Sequence, residues 1–209
     1  MSNMSGKKSN FLRNFCLKKD YSFLSFDFRG HGKSSGKITE FGVDDWFKDL
    51  NNIINNLKIK NIILIGSSLG GWIAMSYALT YPRKVKKLIG LAPAPDFTER
   101  LIWKKLSKKD RDSIRSGKVI EKKITEDFSY FYSKELFKRS KNKLINRSNK
   151  IYKGETVVLS GFKDKSVPFE YNNNLLKTSH FQNLKFITLK NSDHSLSDQN
   201  SLKTILKFI

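Results

Sequence analysis

Hydrophobic and polar positions along the chain follow two periods. Apolar residues at helical spacing predict helices over 9–19, 43–57, 68–81, 169–179 and 198–209. Shorter apolar runs, rich in β-branched and aromatic residues, predict strands over 21–27, 62–65, 85–91, 156–160 and 184–189. Strands that alternate with helices indicate an α/β fold, in which a mostly parallel sheet carries helices on both faces.

A middle segment, at about 96–150, interrupts this alternation. Charged residues are dense there, and the apolar positions keep a helical spacing. We therefore predict a single domain over residues 1–209, with a helical cap insertion at about 96–150. A chain of 209 residues is long enough to bury a sizeable core.

The composition excludes several classes of protein. No run approaches the ~20 apolar residues of a membrane span, and the amino terminus lacks the pattern of a signal peptide. Three scattered histidines and one cysteine form no zinc pattern, and no nucleotide-binding glycine motif is present. The sequence thus predicts a cytoplasmic protein without a metal or cofactor, and it leaves the oligomeric state open.

The net charge of +21 has two interpretations. A basic surface that binds nucleic acid or anionic membranes would produce it. Lysine predominates over arginine, however, and asparagine and isoleucine are also abundant, so AT-rich codon usage would produce the same excess. Because the charges are scattered and no nucleic-acid-binding motif accompanies them, nucleic acid is not an expected partner.

The motif Gly66-Ser67-Ser68-Leu69-Gly70 lies between a predicted strand and a predicted helix. This is the context in which G-x-S-x-G forms a nucleophile elbow, a sharp turn that exposes the hydroxyl of the middle serine. Gly66 and Gly70 lack Cβ atoms, which would let strand and helix approach closely. The alternative is a Gly/Ser-rich loop without chemistry.

A serine nucleophile needs a general base and a carboxylate that orients it. His194 follows the last predicted strand, whereas His31 lies in a glycine-rich turn and His180 at a helix end. Asp164 follows the strand over 156–160, and Asp193 competes with it for the role of the acid. Active sites of parallel sheets lie beyond the carboxyl ends of the strands, which favours His194 and Asp164.

The order Ser68, Asp164, His194 and four motifs resemble the α/β-hydrolases of the serine esterase and thioesterase type. The motifs are 27–34 (DFRGHGKS), 66–72 (GSSLGGW), 161–168 (GFKDKSVP) and 192–194 (SDH). The chain is particularly similar to bacterial relatives of the mitochondrial depalmitoylating thioesterase and acyl-glucuronide esterase, and the segment 94–99 (APDFTE) strengthens that resemblance.

This resemblance implies cleavage of a carboxylic ester or thioester, in a small molecule or an acyl protein, through an acyl-enzyme on Ser68. The Leu69 N–H would be one oxyanion donor. We expect four apolar residues of the cap to hold the acyl chain, or else to serve as ordinary packing: Phe97, Leu101, Trp103 and Phe128. A serine peptidase is a related possibility.

A second oxyanion donor is expected from a loop that the resemblance places upstream of Met1. The preceding strands would then be missing, so the chain resembles an N-terminally truncated hydrolase. A misassigned start codon, a decayed gene or a sheet that closes without that strand would each explain this pattern. An inactive remnant or a basic interaction module is therefore the alternative function.

Overall fold

A computed structural model describes residues 4–125 and 128–209, apart from the side chains of residues 124, 125, 128 and 176. The helices are α1 (Lys7–Lys18), α2 (Val43–Asn56), α3 (Leu69–Thr80), α4 (Lys108–Arg115), α5 (Lys134–Ser140), α6 (Phe169–Asn173) and α7 (Gln199–Leu206). The strands are β1 (Ile62–Ser67), β2 (Val85–Leu91), β3 (Ile120–Thr125), β4 (Phe128–Tyr132), β5 (Tyr152–Gly161) and β6 (Phe181–Leu189).

The chain divides into two compact units, each made of two stretches of sequence. One comprises Met1–Ile53 and Phe97–Asn142, and the other comprises Ile54–Asp96 and Lys143–Ile209. We call the first the insertion unit, because it contains the segment 97–142, and the second the sheet unit, because it contains the parallel strands.

The sheet unit is built on parallel strands in the order β1-β2-β5-β6. Strands β2 and β5 lie in the middle, and Leu88, Ile89 and Val157 on them are completely buried. Helix α3, buried from Gly71 to Leu79, packs on β1 and β2. All four strands run in one direction, so their carboxyl ends meet at one edge of the sheet, and the loops that follow them converge there.

The insertion unit contains α1, most of α2, α4, α5 and an antiparallel hairpin of β3 and β4. Trp46 of α2 is buried and donates its indole N–H to the carbonyl of Arg29 at 3.0 Å. The Arg29 guanidinium binds the Asp49 carboxylate with its Nε at 2.8 Å. These contacts attach the glycine-rich turn after residue 28 to α2.

Two elements of the insertion unit differ from the prediction. Residues 21–28 form no strand among the described residues, although their apolar residues alternate as in a strand. Alternation of apolar and polar residues indicates only that an extended segment has one apolar and one polar face. A strand also needs a neighbouring strand with which it forms a ladder of hydrogen bonds. The segment at 96–150 is not purely helical, because β3 and β4 pair within it, with Ile120 opposite Tyr132.

Within the described residues, no helix has both the length and the apolar character needed to cross a membrane.

Candidate active site

Ser68 occupies the turn between β1 and α3. Its φ of 52° and ψ of −117° lie outside the regions that suit a residue with a side chain. Such strain typically costs about 1–3 kcal/mol and persists only where the surroundings hold it. The Ser68 N–H donates to the Leu91 carbonyl at 3.0 Å, and the Ser68 carbonyl accepts from Gly71 N at 2.9 Å. The backbone around Ser68 is therefore fixed by β2 on one side and by α3 on the other.

Two glycines permit this sharp turn. A Cβ at Gly66 would lie 2.2 Å from the Gly70 carbonyl oxygen, and one at Gly71 would lie 2.5 Å from the Cβ of Pro93. A Cβ at Gly70 itself would meet no described atom within 4 Å. The predicted close approach is thus met at Gly66. The same prediction is wrong at Gly70, because the second position where a Cβ would clash is Gly71.

His194 lies between Ser68 and Asp164. Its Nε2 is 3.0 Å from Ser68 Oγ, and its Nδ1 is 2.7 Å from Asp164 Oδ2. The imidazole side chain is 24% exposed and the Asp164 side chain is completely buried. The structure thus brings the three predicted residues into one hydrogen-bonded chain, with the carboxylate inside and the imidazole partly open to solvent.

The loop after β5 sets the orientation of the Asp164 carboxylate. Its Oδ1 accepts hydrogen bonds from Ser166 N at 2.9 Å and from Val167 N at 2.8 Å. These two bonds leave Oδ2 for the imidazole of His194. One carboxylate oxygen is therefore bound by the loop and the other faces the candidate base.

The loop that carries the acid is bonded directly to the loop that carries the base. Phe162 N donates to the Leu189 carbonyl at 2.9 Å, and Lys163 N donates to the Ser192 carbonyl at 3.0 Å. A Cβ at Gly161 would lie 2.3 Å from the Ser192 carbonyl oxygen, so only glycine permits this approach. The contact between Asp164 and His194 thus rests on backbone hydrogen bonds between their loops.

Asp193, the alternative acid, is engaged elsewhere. Its Oδ1 accepts from Ser195 N at 2.8 Å and from Ser195 Oγ at 2.7 Å. The hydrogen bond from the Ser195 hydroxyl is the main reason that the pKa of Asp193 is lowered. Asp193 therefore shapes the turn around His194, and Asp164 is the carboxylate that contacts the imidazole.

The other two histidines contact backbone carbonyls. Nδ1 of His31 lies 3.3 Å from the Arg29 carbonyl, and Nδ1 of His180 lies 3.2 Å from the Lys150 carbonyl. Burial lowers the pKa of His31. Among the residues that the structure describes, no three side chains of His, Cys, Asp or Glu are grouped to hold a metal ion.

The first turn of α3 offers a backbone donor beside Ser68. Leu69 is the first helical residue, and its N–H has no acceptor within the described part of the chain. The amino end of a helix carries a partial positive charge, which favours negative charge nearby. The Leu69 N–H thus has the position and the free hydrogen that an oxyanion donor requires.

The four apolar residues expected to bind the acyl chain have different surroundings. Leu101 lines a cavity of about 310 Å³ in the insertion unit, together with Ile102 and Leu106. Trp103 instead packs edge-on against Phe137, with ring centroids 4.9 Å apart. Phe97 is half-buried, and the side chain of Phe128 lies outside the described residues.

The fold and this site define a class of protein. A profile of the α/β-hydrolase fold family matches residues 8–116, and the chain belongs to that family. It is an α/β-hydrolase of the thioesterase and esterase type, similar to the mitochondrial palmitoyl-protein thioesterase ABHD10 of Bos taurus. The identity is 28% over 207 residues, which cover 99% of this chain and 68% of the bovine protein.

Solved structures show the same relationship. Alpha/beta hydrolase domain-containing protein 10 from mouse matches with a TM-score of 0.85 and 26% identity, covering 99% of this chain and 83% of that chain. A protein from Agrobacterium vitis matches with a TM-score of 0.89 at 24% identity, covering 99% and 82% of the two chains. The second likeness concerns the fold alone.

Proposed function

We propose that this protein is a serine hydrolase that cleaves a carboxylic ester or thioester through an acyl-enzyme on Ser68. The observation that carries the proposal is the chain of contacts from Ser68 Oγ through His194 to the buried carboxylate of Asp164, at 3.0 and 2.7 Å. A serine hydroxyl is a weak nucleophile, and this arrangement is the one that activates it.

The reaction begins when Ser68 Oγ attacks the carbonyl carbon of the substrate. His194 Nε2 takes the hydroxyl proton as the new C–O bond forms, and Asp164 stabilises the resulting imidazolium through Nδ1. His194 then returns the proton to the leaving alkoxide or thiolate, whose bond to the carbonyl carbon breaks. Water repeats these steps on the acyl-enzyme, releasing a carboxylic acid and regenerating the Ser68 hydroxyl.

The tetrahedral intermediate carries a negative oxygen that needs hydrogen-bond donors. The Leu69 N–H is our candidate for one donor, because it is unpaired in the described structure and belongs to the residue after the nucleophile. Loss of one oxyanion donor typically slows the reaction about 100- to 1,000-fold. The expectation that a second donor comes from an upstream loop stays a prediction.

We expect the acyl part of the substrate to be an apolar chain, with Leu101 as one candidate for binding it. The cavity that Leu101 lines in the insertion unit is also lined by Ile102, Leu106 and Ile120, and by four charged residues, Lys105, Asp110, Glu121 and Lys122. Each methylene that is buried on binding would contribute about 0.8 kcal/mol. An acyl group is also what the bovine relative, a palmitoyl-protein thioesterase, acts on by name.

A fluorophosphonate probe tests the proposal, because it reacts with a serine activated in this way. We expect the wild-type protein to be labelled and Ser68→Ala to be unlabelled. Ser67→Ala, which changes the neighbouring serine of the same motif, is the matched control and should keep labelling. Failure to label the wild type would refute the enzyme and favour an inactive protein with a basic interaction surface.

A substrate panel separates the related reactions. Wild-type protein that has not been treated with the probe should hydrolyse p-nitrophenyl esters and acyl thioesters, with rates that rise with the length of the acyl chain. Cleavage of amide substrates in preference to these esters would instead identify a serine peptidase.

A further inference from the structure

Another buried carboxylate of the sheet unit belongs to Asp96. It ends the loop that follows β2, is 1% exposed and has a φ of 60°. Its Oδ1 accepts from Ile145 N at 2.6 Å and its Oδ2 accepts from Asn146 N at 2.9 Å. A buried carboxylate is unfavourable unless it is well bonded, so these two amides define where the Asp96 side chain lies.

The same loop contacts the nucleophile through its backbone. The Ala94 N–H donates to the Ser68 carbonyl at 3.1 Å, and the Ala92 N–H donates to the Leu159 carbonyl at 2.7 Å. Pro93 lies where a side chain at Gly71 would otherwise be. The five residues from Ala92 to Asp96 therefore lie directly behind Ser68 and the first turn of α3.

The chain that Asp96 binds is also attached to α3. The indole N–H of Trp72, a completely buried residue, donates to the Lys143 carbonyl at 2.7 Å. Ser76 Oγ contacts the same carbonyl at 3.3 Å. Hydrogen bonds thus connect α3, the segment at 143–146, Asp96, Ala94 and Ser68 in a closed ring.

We propose that Asp96 is a positioning residue for Ser68, a role that rests on the proposed hydrolase function. Its carboxylate fixes the loop at 92–96, and the Ala94 N–H in that loop holds the Ser68 carbonyl in its strained turn. Asp96 acts on Ser68 through the backbone, by way of the loop at 92–96. It also joins residues 96 and 145 within the sheet unit.

Aspartate suits this position for two reasons. Aspartate and asparagine tolerate a positive φ better than most residues with side chains. The two carboxylate oxygens can each accept an amide N–H, whereas the carboxamide of asparagine has one acceptor and one donor group. Asp96→Asn therefore keeps the backbone conformation and the size, but it turns an NH₂ group towards a backbone N–H.

The test compares the rate of fluorophosphonate labelling in Asp96→Asn with the wild type, per folded molecule. Small displacements of reacting groups can slow a reaction about 100-fold, and we expect a loss of about 10- to 100-fold here. The midpoint of the pH profile should not move, because His194 and Asp164 are untouched. Hydrogen exchange of the Ala94 amide should become faster, since its bond to Ser68 weakens.

Asp45→Asn is the matched control. Asp45 is another buried aspartate, 5% exposed, that accepts a backbone N–H from Gly42 at 3.0 Å and lies in the insertion unit. It should leave the labelling rate per folded molecule unchanged. If Asp96→Asn does not fold, Trp72→Phe opens the same ring at Lys143 and should slow labelling in the same way.

Two results would overturn the proposal. One is an Asp96→Asn protein that is labelled as fast as the wild type. The other is an equal loss of rate in Asp45→Asn, which would show a general structural effect. If the wild type itself is not labelled, the proposed hydrolase function fails. The link between Asp96 and Ser68 is then tested by hydrogen exchange alone, and unchanged exchange of the Ala94 amide in Asp96→Asn would reject it.

Discussion

Replacement of Asp164 by Asn tests the proposed catalytic chain at its buried end. In the native protein Oδ1 accepts the amides of Ser166 and Val167, and Oδ2 faces Nδ1 of His194. The carboxamide oxygen of the variant must take the place of Oδ1, because two N–H donors point at it. The NH₂ group then faces His194, which must present a lone pair at Nδ1 and carry its proton on Nε2.

This tautomer cannot serve as the base. With a hydrogen on Nε2, the imidazole points a donor at Ser68 Oγ, 3.0 Å away in the native protein, and cannot accept the hydroxyl proton. In a serine protease with this chain of residues, the corresponding change lowers kcat about 10,000-fold. At 1.36 kcal/mol per factor of ten, this is a loss of about 5.5 kcal/mol of transition-state stabilisation.

The assay is the steady-state hydrolysis of a p-nitrophenyl ester, with ¹⁵N NMR of His194 to report the tautomer. We expect kcat for Asp164→Asn to fall about 10,000-fold, while the protein stays folded because the bonds to Ser166 and Val167 remain. Asp193→Asn is the control, since Asp193 bonds to Ser195 and not to His194. A fall of less than tenfold in Asp164→Asn, or an equal fall in Asp193→Asn, would refute the reasoning.

Three further predictions follow from other contacts. Burial raises the pKa of Tyr152 to about 12, so folding favours its neutral form and the free energy of unfolding should fall as pH rises from about 10 towards 12. Tyr152→Phe should reduce that pH dependence in denaturant titrations. At neutral pH the same variant should lose about 1 kcal/mol, because it lacks the hydrogen bond to the Val85 carbonyl. Gly66→Ala should lower the melting temperature sharply because its Cβ would clash with the Gly70 carbonyl, whereas Gly70→Ala should be neutral or raise stability by up to about 1 kcal/mol in calorimetry. Leu101→Asp tests the predicted acyl-binding role of Leu101: it should raise KM for long-chain esters more than for acetate esters, and equal effects on both would contradict that role.

The elements of the sheet unit were readable from sequence because their signals are local. The apolar run at 62–65 and the glycines after it predict β1 and the turn into α3, and the structure extends that strand to Ser67. The run at 85–91 matches the bounds of β2. Asp164 and His194 could be selected because parallel strands bring their carboxyl ends together, a rule that needs only the order of elements.

The errors concern features that depend on a partner elsewhere in the chain. The alternation at 21–27 has the period of a strand, but no ladder partner for it exists among the described residues. Strand β3, Ile120–Thr125, contains two lysines and a glutamate and becomes a strand by pairing with β4. The aromatic run over 128–132 was the one local signal of that hairpin.

The role of Asp96 could not be found from sequence for a similar reason. Its amide partners are 49 and 50 residues away along the chain. No local motif marks a carboxylate that binds backbone amides at this separation, since any residue can supply the N–H. The crowding at Gly71 likewise depends on Pro93, which approaches it only in the folded sheet unit.

The backbone bonds between the loops after β5 and β6 bear on how the site moves. Phe162 and Lys163 are tied to residues 189 and 192, so thermal motion should carry the acid and the base together as one body. Ser68 lies on the turn between β1 and α3, and Ala92, in the loop behind that turn, donates its N–H to the Leu159 carbonyl of β5. The distance between Ser68 Oγ and His194 Nε2 is therefore set through β2 and β5, so a substitution that disturbs the pairing of these two central strands would displace the nucleophile relative to the base even if it touches neither residue.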